Sequence, residues 1–207
     1  MFTRKRIAAA GAGALLTLSL AGCGGGGAPA PVAVVKNVHG KSTAIKLDAG
    51  FAKALKSLKL TPGVLGKAKL RQGSLIFPIT GGNVSVFKPG EVSPYVIGQL
   101  QHEGSGFSLT GGGTKVGLTN LNVDPGASRV YGDVAVNGKT AVSNAFLFKL
   151  DGRTLKPLAT KGPNAILEGT KVKISPVAAG LLDKVFKTKA VKGGLLVGIA
   201  KITVRTK

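Results

Sequence analysis

The sequence is poor in the residues that form disulfides and metal sites. It has one cysteine, two histidines and no tryptophan in 207 residues. A lone cysteine cannot close an internal disulfide, and a structural zinc ion takes about four cysteine or histidine ligands. One cysteine and two histidines cannot supply that set. We therefore predict neither a disulfide-stabilised scaffold nor a metal site.

Acidic residues are also scarce, with eight of them spread thinly over the chain. No calcium loop of the D-x-D-x-D type occurs, and paired carboxylates for glycoside hydrolysis could meet only through folding. A G-x-S-x-G nucleophile motif is missing, and no phosphate-binding glycine loop occurs between a strand and a helix. The stretch His102-Glu103-Gly104-Ser105-Gly106 lacks the first glycine of the nucleophile motif. We predict that the protein is not an enzyme and has no catalytic residues.

Basic residues are abundant by contrast, and the formal net charge is +21. Such an excess favours anionic neighbours, for example wall polymers such as teichoic acids, or lipid headgroups. The lysines are scattered singly and form no dense run. This spacing argues against a specific nucleic-acid site.

The first 23 residues have the pattern of a bacterial lipoprotein signal peptide. A basic start ending at Arg6 precedes an apolar stretch of about 14 residues. That stretch is shorter than the roughly 20 residues that a membrane-spanning helix needs. It runs into Leu20-Ala21-Gly22-Cys23, which matches the lipobox. We predict cleavage before Cys23, a diacylglycerol on its thiol, and a protein anchored by lipid to the outer side of the cell membrane.

A flexible tether is predicted between the acylated cysteine and the folded part. Residues 24–31 read GGGGAPAP, in which glycine gives flexibility and proline gives extension. The predicted organisation is a signal peptide at 1–22, Cys23 with its tether at 23–40, and one domain at 41–207. Cleavage leaves 26 basic and eight acidic side chains, a side-chain charge of +18.

Hydrophobic periodicity predicts two helices and many short strands. Asp48 is placed to cap a helix that runs to about Leu58, and Ser175 with Pro176 opens a second helix. The predicted strands are 43–47, 68–70, 74–79, 83–87, 95–102, 107–110, 114–123, 129–136, 145–150, 165–174 and 195–204, with glycine turns between several of them. This order predicts a mainly β domain, an antiparallel β-sandwich or barrel-like structure with two short flanking helices.

Three side chains are candidates for ligand binding: His102, Tyr95 and Tyr131. His102 ends a predicted strand, where a histidine can serve as ligand or base, and where a half-exposed turn residue is an equally ordinary interpretation. Tyr95 and His102 are seven residues apart and face opposite sides of a regular strand. They could share a ligand only through a bulge, for which Gly98 is suited. His39 is interpreted as a solvated residue of the tether.

Three short stretches occur in a characteristic order: Ala49–Ala54 on the first helix, Gly98–Gly104 in the β region, and Ile174–Ala179 at the second helix. They resemble the S-F-x-x-Y helix, the G-x-[VL]-x-x-x-H-x-G-like stretch and the L-T-x-x-A-like helix of the HtaA-type domain. That family occurs in haem-uptake proteins on actinobacterial cell surfaces. The resemblance implies a β-sandwich domain and a relation to haem.

The resemblance also implies roles for two residues. In the family, the helix tyrosine binds the haem iron and a histidine supports it. The tyrosine position corresponds here to Ala54, whose methyl group cannot ligate iron, and His102 corresponds to the supporting histidine. We therefore predict no resident cofactor, with haem as the group to test and His102, Tyr95 or Tyr131 as replacement ligands.

Two functions follow from these observations. The anchor, the tether and the missing catalytic set favour a lipid-anchored binding or scaffold module of the cell envelope without catalytic activity. The alternative is a lipoprotein that binds or takes up haem or another hydrophobic ligand. The expected partners are the membrane, through the anchor, and anionic wall polymers or lipid headgroups.

Overall fold

A computed structural model describes residues 28–38 and 40–205 of the chain. The helices are α1 Ala49–Ser57 and α2 Pro176–Phe186, with a short 3-10 helix at Gly152–Thr154. The strands are β1 Ala33–Val35, β2 Lys41–Leu47, β3 Thr61–Gly66, β4 Lys69–Arg71, β5 Ser74–Pro78, β6 Gly81–Val86, β7 Val96–Gly111, β8 Thr114–Asp124, β9 Arg129–Val136, β10 Lys139–Asp151, β11 Ala159–Lys161, β12 Asn164–Ile174 and β13 Leu196–Arg205. Within these ranges, no helix has the length and apolar character required to span a bilayer.

Both helices begin where their capping residues predict. The Asp48 carboxylate accepts hydrogen bonds from the backbone N–H groups of Gly50 and Phe51, and the Ser175 hydroxyl accepts one from Ala178. Such caps satisfy backbone donors that have no partner inside the helix. Phe51 turns inward from α1 into the core.

The described strands form one sheet of antiparallel pairs, and this sheet curls back on itself. Its path runs β1-β6-β7-β8-β9-β10-β12-β13-β2-β5-β4. β5 pairs with β2 near one end of the path, β6 pairs with β7 near the other, and only Ile79 and Thr80 separate them. This short bend joins the two ends of the curl. The prediction of a mainly antiparallel, barrel-like β domain with two short helices is confirmed.

One end of the curled sheet is filled by α2. Ala178 and Leu182 of this helix are buried and share a small apolar void with Phe107 and Phe148. The helix packs on β10 and β8, while α1 packs on β13 and β3. The opposite end carries the loops between β6 and β7, between β8 and β9, and between β10 and β12. The two ends of the fold are therefore different, one helical and packed, the other built from loops.

The structure corrects three features predicted from the sequence. The last part of the predicted tether is folded, since Ala33–Val35 pairs with β6 and Val38 is fully buried. The segment between the first helix and residue 68, for which no strand was predicted, contains β3, which pairs with β7. The loop predicted after His102 is wrong: β7 continues through it, and the extra residues are absorbed by a register shift against β8 between His102 and Gly106.

Candidate functional site

The inner face of the curled sheet encloses a cavity of about 740 Å³, which we call the lumen. Its size lies within the range of about 300–1,000 Å³ that is common for small-molecule sites. Its walls are mainly aliphatic and come from β2, β5, β7, β8, β9, β10, β12 and β13. Representative wall residues are Ile45, Leu75, Val123, Val130, Leu167, Val172, Val197 and Ile202.

Three loops line the lumen at the end opposite to α2, and we call them the rim. They comprise residues 89–95, 125–128 and 152–157. Strand register places the second and third loops side by side, because Arg129 pairs with Asp124 on one side and with Lys149 on the other. The rim contributes most of the polar groups that line the lumen, namely Ser93, Tyr95, Ser128 and Arg153.

Aromatic rings cross the lumen towards the α2 end. Phe77 contacts His102 edge-on, with 6.3 Å between ring centroids, and Phe107 at 6.5 Å. Phe107 in turn lies 6.1 Å from Phe148. These side chains form the floor of the lumen, since Phe107 and Phe148 also contact the void beneath α2.

His102 lies in this floor and is 1% exposed. Its Nδ1 lies 3.1 Å from the carbonyl oxygen of Leu121, and its Nε2 lies 2.8 Å from the hydroxyl of Thr43. Because a carbonyl can only accept, the neutral ring carries its proton on Nδ1, donates to Leu121 and accepts from Thr43 at Nε2. Burial lowers the pKa of the His102 imidazole to about 4, so the ring is neutral at physiological pH. Both ring nitrogens are therefore occupied by protein partners.

Tyr95 lines the same lumen as His102. The pairing of β6 with β7 runs without interruption past Gly98, so no bulge forms there. Tyr95 instead lies in the rim loop just before β7, where strand alternation does not govern its direction. Burial raises the pKa of its phenol.

Tyr131 is not brought to the lumen. Its hydroxyl lies 3.2 Å from the guanidinium of Arg129, and its ring lies 6.0 Å from that of Phe146. Its neighbour Val130 is the residue of β9 that lines the lumen, so Tyr131 occupies the outer face. Two other sequence candidates, Cys23 and His39, lie outside the described residues.

Arg153 at the rim was not among the residues predicted from the sequence to bind a ligand. The sequence signal at Asp151-Gly152 is a turn, and it gave no indication that the next side chain lines a cavity. The Arg153 guanidinium makes two hydrogen bonds to the Asp151 carboxylate, which also contacts Lys173 at 3.0 Å. Arg153 and Lys173 hold the pKa of the Asp151 carboxyl well below its usual range. The carboxylate fixes the guanidinium in place beside the lumen.

The residues of this chain do not fit an iron-ligating haem site of the kind that the sequence resemblance implies. Ala54 lies on α1, and no residue of α1 lines the lumen. Both nitrogens of His102 are hydrogen-bonded to the protein, and Tyr95 lies in the rim and not on a helix. The lumen is thus a mainly apolar site with one tyrosine, Tyr95, at its rim.

The fold matches the crystal structure of the C-terminal domain of HtaA from Corynebacterium glutamicum, with a TM-score of 0.57 at 13% sequence identity. The match covers 83% of this chain and 99% of that domain. The chain has the HtaA-domain fold. This confirms the resemblance seen in the sequence, at the level of the fold.

A second HtaA structure from the same organism, a domain-swapped dimer variant of the C-terminal domain, matches with a TM-score of 0.48 at 12% identity. That match covers 77% of this chain and 92% of the other. No protein-family model and no curated protein sequence matches the chain. The likeness to HtaA therefore establishes architecture, and ligand chemistry has to be argued from the lumen.

Proposed function

We propose that the protein is a lipid-anchored component of the cell envelope that binds a hydrophobic ligand in its lumen. The observation that carries this proposal is the lumen itself, a large cavity with aliphatic walls inside a single folded domain. Packed protein interiors rarely leave voids larger than a water molecule. Binding of a ligand would fill this space and would explain why the fold leaves it unpacked.

The lumen favours ligand binding over the scaffold interpretation. A scaffold acts through its surface and gains nothing from an internal cavity, which costs packing energy. The HtaA-domain fold is a second support, because the sequence resemblance relates that family to haem uptake. The absence of catalytic activity stays a prediction.

The lipobox around Cys23 supports location at the membrane, and the charge of +18 supports contact with anionic polymers or headgroups. These features support the proposal of a hydrophobic-ligand binder at the membrane, where such ligands are found. Binding, transfer or uptake of the ligand at the envelope is the activity proposed.

A neutral fluorescent probe tests the proposal without interference from the protein's charge. The mature protein is titrated with N-phenylnaphthylamine, and fluorescence enhancement reports transfer into an apolar site. Ala200→Phe fills the lumen, since Ala200 is buried and lines it. Ala141→Phe is the matched control, because Ala141 is exposed on β10 and lines no part of the lumen.

We expect saturable binding that Ala200→Phe weakens several-fold and Ala141→Phe leaves unchanged. If Ala200→Phe fails to fold by circular dichroism, Thr170→Phe takes its place, since Thr170 also lines the lumen and is less buried. No saturable binding, or equal binding by the lumen variant and its control, would contradict the proposal.

A further inference from the structure

The folded chain begins beside the rim. The backbone N–H of Val32 donates to the carbonyl of Val86 at 2.7 Å, and that of Phe87 donates to the carbonyl of Tyr95 at 2.7 Å. The first described strand therefore pairs with the strand that leads directly into the rim loop 89–95. Because β1 and β6 are antiparallel, the N-terminal end of β1 lies at the rim end.

The predicted anchor is close to this point along the chain. Cys23 precedes Val32 by nine residues. A fully extended chain spans at most about 3.3–3.6 Å per residue, so the acylated cysteine lies within about 30 Å of the rim. The connection joins the domain at its rim end, so the rim can approach a membrane that holds the anchor more closely than the α2 end can.

An exposed apolar surface flanks the rim on its outer side. Val32 is 53% exposed, Val34 50% and Ile97 37%. Val34 pairs with Ser85, and Ser85 pairs with Ile97, so Val34 and Ile97 lie in one row on either side of Ser85, and Val32 precedes Val34 by two residues. They are three of the six exposed large apolar residues among the described residues, and they lie next to the predicted anchor. Clustered apolar side chains of this kind are typical of a surface that contacts another apolar phase.

The polarity of the lumen is graded from rim to wall. The rim supplies Ser93, Tyr95 and Arg153, while the walls are aliphatic. The polar side chains of His102 and Thr43 within the lumen are hydrogen-bonded to each other, so they need no hydrogen bond from a ligand. This gradient fits an amphiphile whose acyl chains fill the lumen and whose polar headgroup stays at the rim.

We infer that the rim faces the membrane and that the lumen takes up a membrane lipid directly from the bilayer, acyl chains first. The inference rests on the proposed function and on acylation of Cys23. It deepens the proposed function by naming the ligand class and the surface through which the ligand passes. The side-chain charge of +18 favours an anionic bilayer as the partner surface.

Site-specific quenching tests the orientation. The only natural cysteine is consumed by acylation, so Ile97→Cys or Val177→Cys can be labelled uniquely in the lipidated protein. Val177 is the matched control, because it is an exposed apolar residue, 49% exposed, on the helix at the opposite end. The labelled proteins are placed in phosphatidylglycerol and phosphatidylcholine vesicles that contain brominated acyl chains.

We expect bromine to quench the label at position 97 several-fold more strongly than the label at 177. Equal quenching, or stronger quenching at 177, would overturn the orientation. This result does not depend on whether any ligand is bound.

A transfer experiment tests the ligand class. Vesicles carrying pyrene-labelled phosphatidylglycerol are mixed with the lipidated protein, and loss of pyrene excimer emission reports withdrawal of lipid. Ile97→Asp should slow this transfer several-fold, and Val177→Asp should leave it unchanged, while N-phenylnaphthylamine binding stays the same in both. If the neutral probe binds but no pyrene lipid is withdrawn, the inference fails and the proposed function stands. If neither ligand binds, the proposed function fails as well.

Discussion

The Nε2 atom of His102 on β7 lies 2.8 Å from the hydroxyl of Thr43 on β2, so one hydrogen bond links two strands that are not neighbours in the sheet. The two residues are 59 positions apart in the sequence. β2 and β7 approach each other only because the sheet curls, and both partners are buried. The bond therefore holds β2 and β7 together across the floor of the lumen.

Thr43→Val tests the contribution of this bond. Valine keeps the shape of threonine but removes the hydroxyl that donates to His102. An unpaired buried acceptor costs about 1–3 kcal/mol, and we expect that loss in the free energy of unfolding. Urea unfolding at pH 7 measures it, with Thr160→Val on the exposed strand β11 as the control. Equal stability of Thr43→Val and the wild type would show that the bond contributes nothing to closure.

A pH-dependent loss of stability follows from the low pKa of His102. The unfolded imidazole has its ordinary pKa of 6.5, and burial lowers the folded value to about 4. Between these values the unfolded state binds the proton and the folded state does not, so the free energy of unfolding falls as pH falls from 6.5 towards 4. The difference corresponds to about 3 kcal/mol, of which most is lost by pH 4.5.

His102→Gln isolates this effect, because glutamine does not titrate. Unfolding by urea at pH 7.0, 6.0, 5.0 and 4.5 should give a clearly shallower slope for the variant than for the wild type. The carboxyls of Asp151 and Asp133, whose pKa values are lowered, also reduce stability as pH falls below about 5, but they do so in both proteins, so the difference between the two slopes reports His102. Parallel slopes for the two proteins would rule out the buried neutral histidine as the cause.

The approach of β6 to β7 requires a glycine at position 98. Gly98 has φ of +124°, and a Cβ atom there would lie 2.1 Å from the carbonyl oxygen of Asn83. We expect Gly98→Ala to destabilise the fold by at least about 2 kcal/mol, because backbone strain adds to the clash. Gly152→Ala is the control, since a Cβ atom at Gly152 meets nothing within 4 Å. Thermal unfolding of both variants measures the difference, and similar melting temperatures would contradict the prediction.

The sequence predicts the local structure better than the lumen. Alternation defines β9 at Arg129–Val136, and polar capping residues define the starts of both helices, because these signals act over a few positions. The first half of β10, Lys139–Asn144, lacks an apolar alternation and was missed. β3 was also missed, since its TPG start is typical of a turn and only pairing with β7 makes it a strand.

The lumen depends on distant contacts that no local pattern contains. Alternation indicates which side chains share a face of a strand, but it does not indicate whether those faces enclose a space. That depends on the bend at Ile79 and Thr80, which joins the ends of the sheet. The same closure brings Thr43 to His102 and leaves Tyr131 outside. The candidate histidine was found from the sequence, whereas its partners and its burial were not.

The lipobox predicts that membrane attachment depends on the thiol of Cys23. Cys23→Ser removes the thiol that carries the diacylglycerol, and we expect the protein to be released from the membrane into the medium or periplasm. Fractionation in about 1 M salt is required, because the Debye length falls to about 3 Å there and charge-mediated adhesion of this basic protein is screened. A Cys23→Ser protein that still sediments with membranes at that salt concentration would contradict the lipoprotein prediction.

The family resemblance implies haem binding, whereas the residues of this chain do not supply the iron ligand that the resemblance implies. Axial ligation needs a lone pair directed at the iron, and Ala54 has none. The two nitrogens of His102 are hydrogen-bonded to Leu121 and Thr43. The aliphatic lumen can still hold a porphyrin loosely by burial of apolar surface.

Haemin titration should therefore show weak binding without a sharp Soret shift in the wild type. Ala54→Tyr should behave in the same way, because α1 does not line the lumen. His102→Ala and Tyr95→Phe are the diagnostic variants. A sharp wild-type Soret shift lost in Tyr95→Phe would make the rim tyrosine an iron ligand. Loss in His102→Ala would instead require the imidazole to leave Thr43 and turn into the lumen. Either result would replace a lipid-type ligand with haem as the natural occupant.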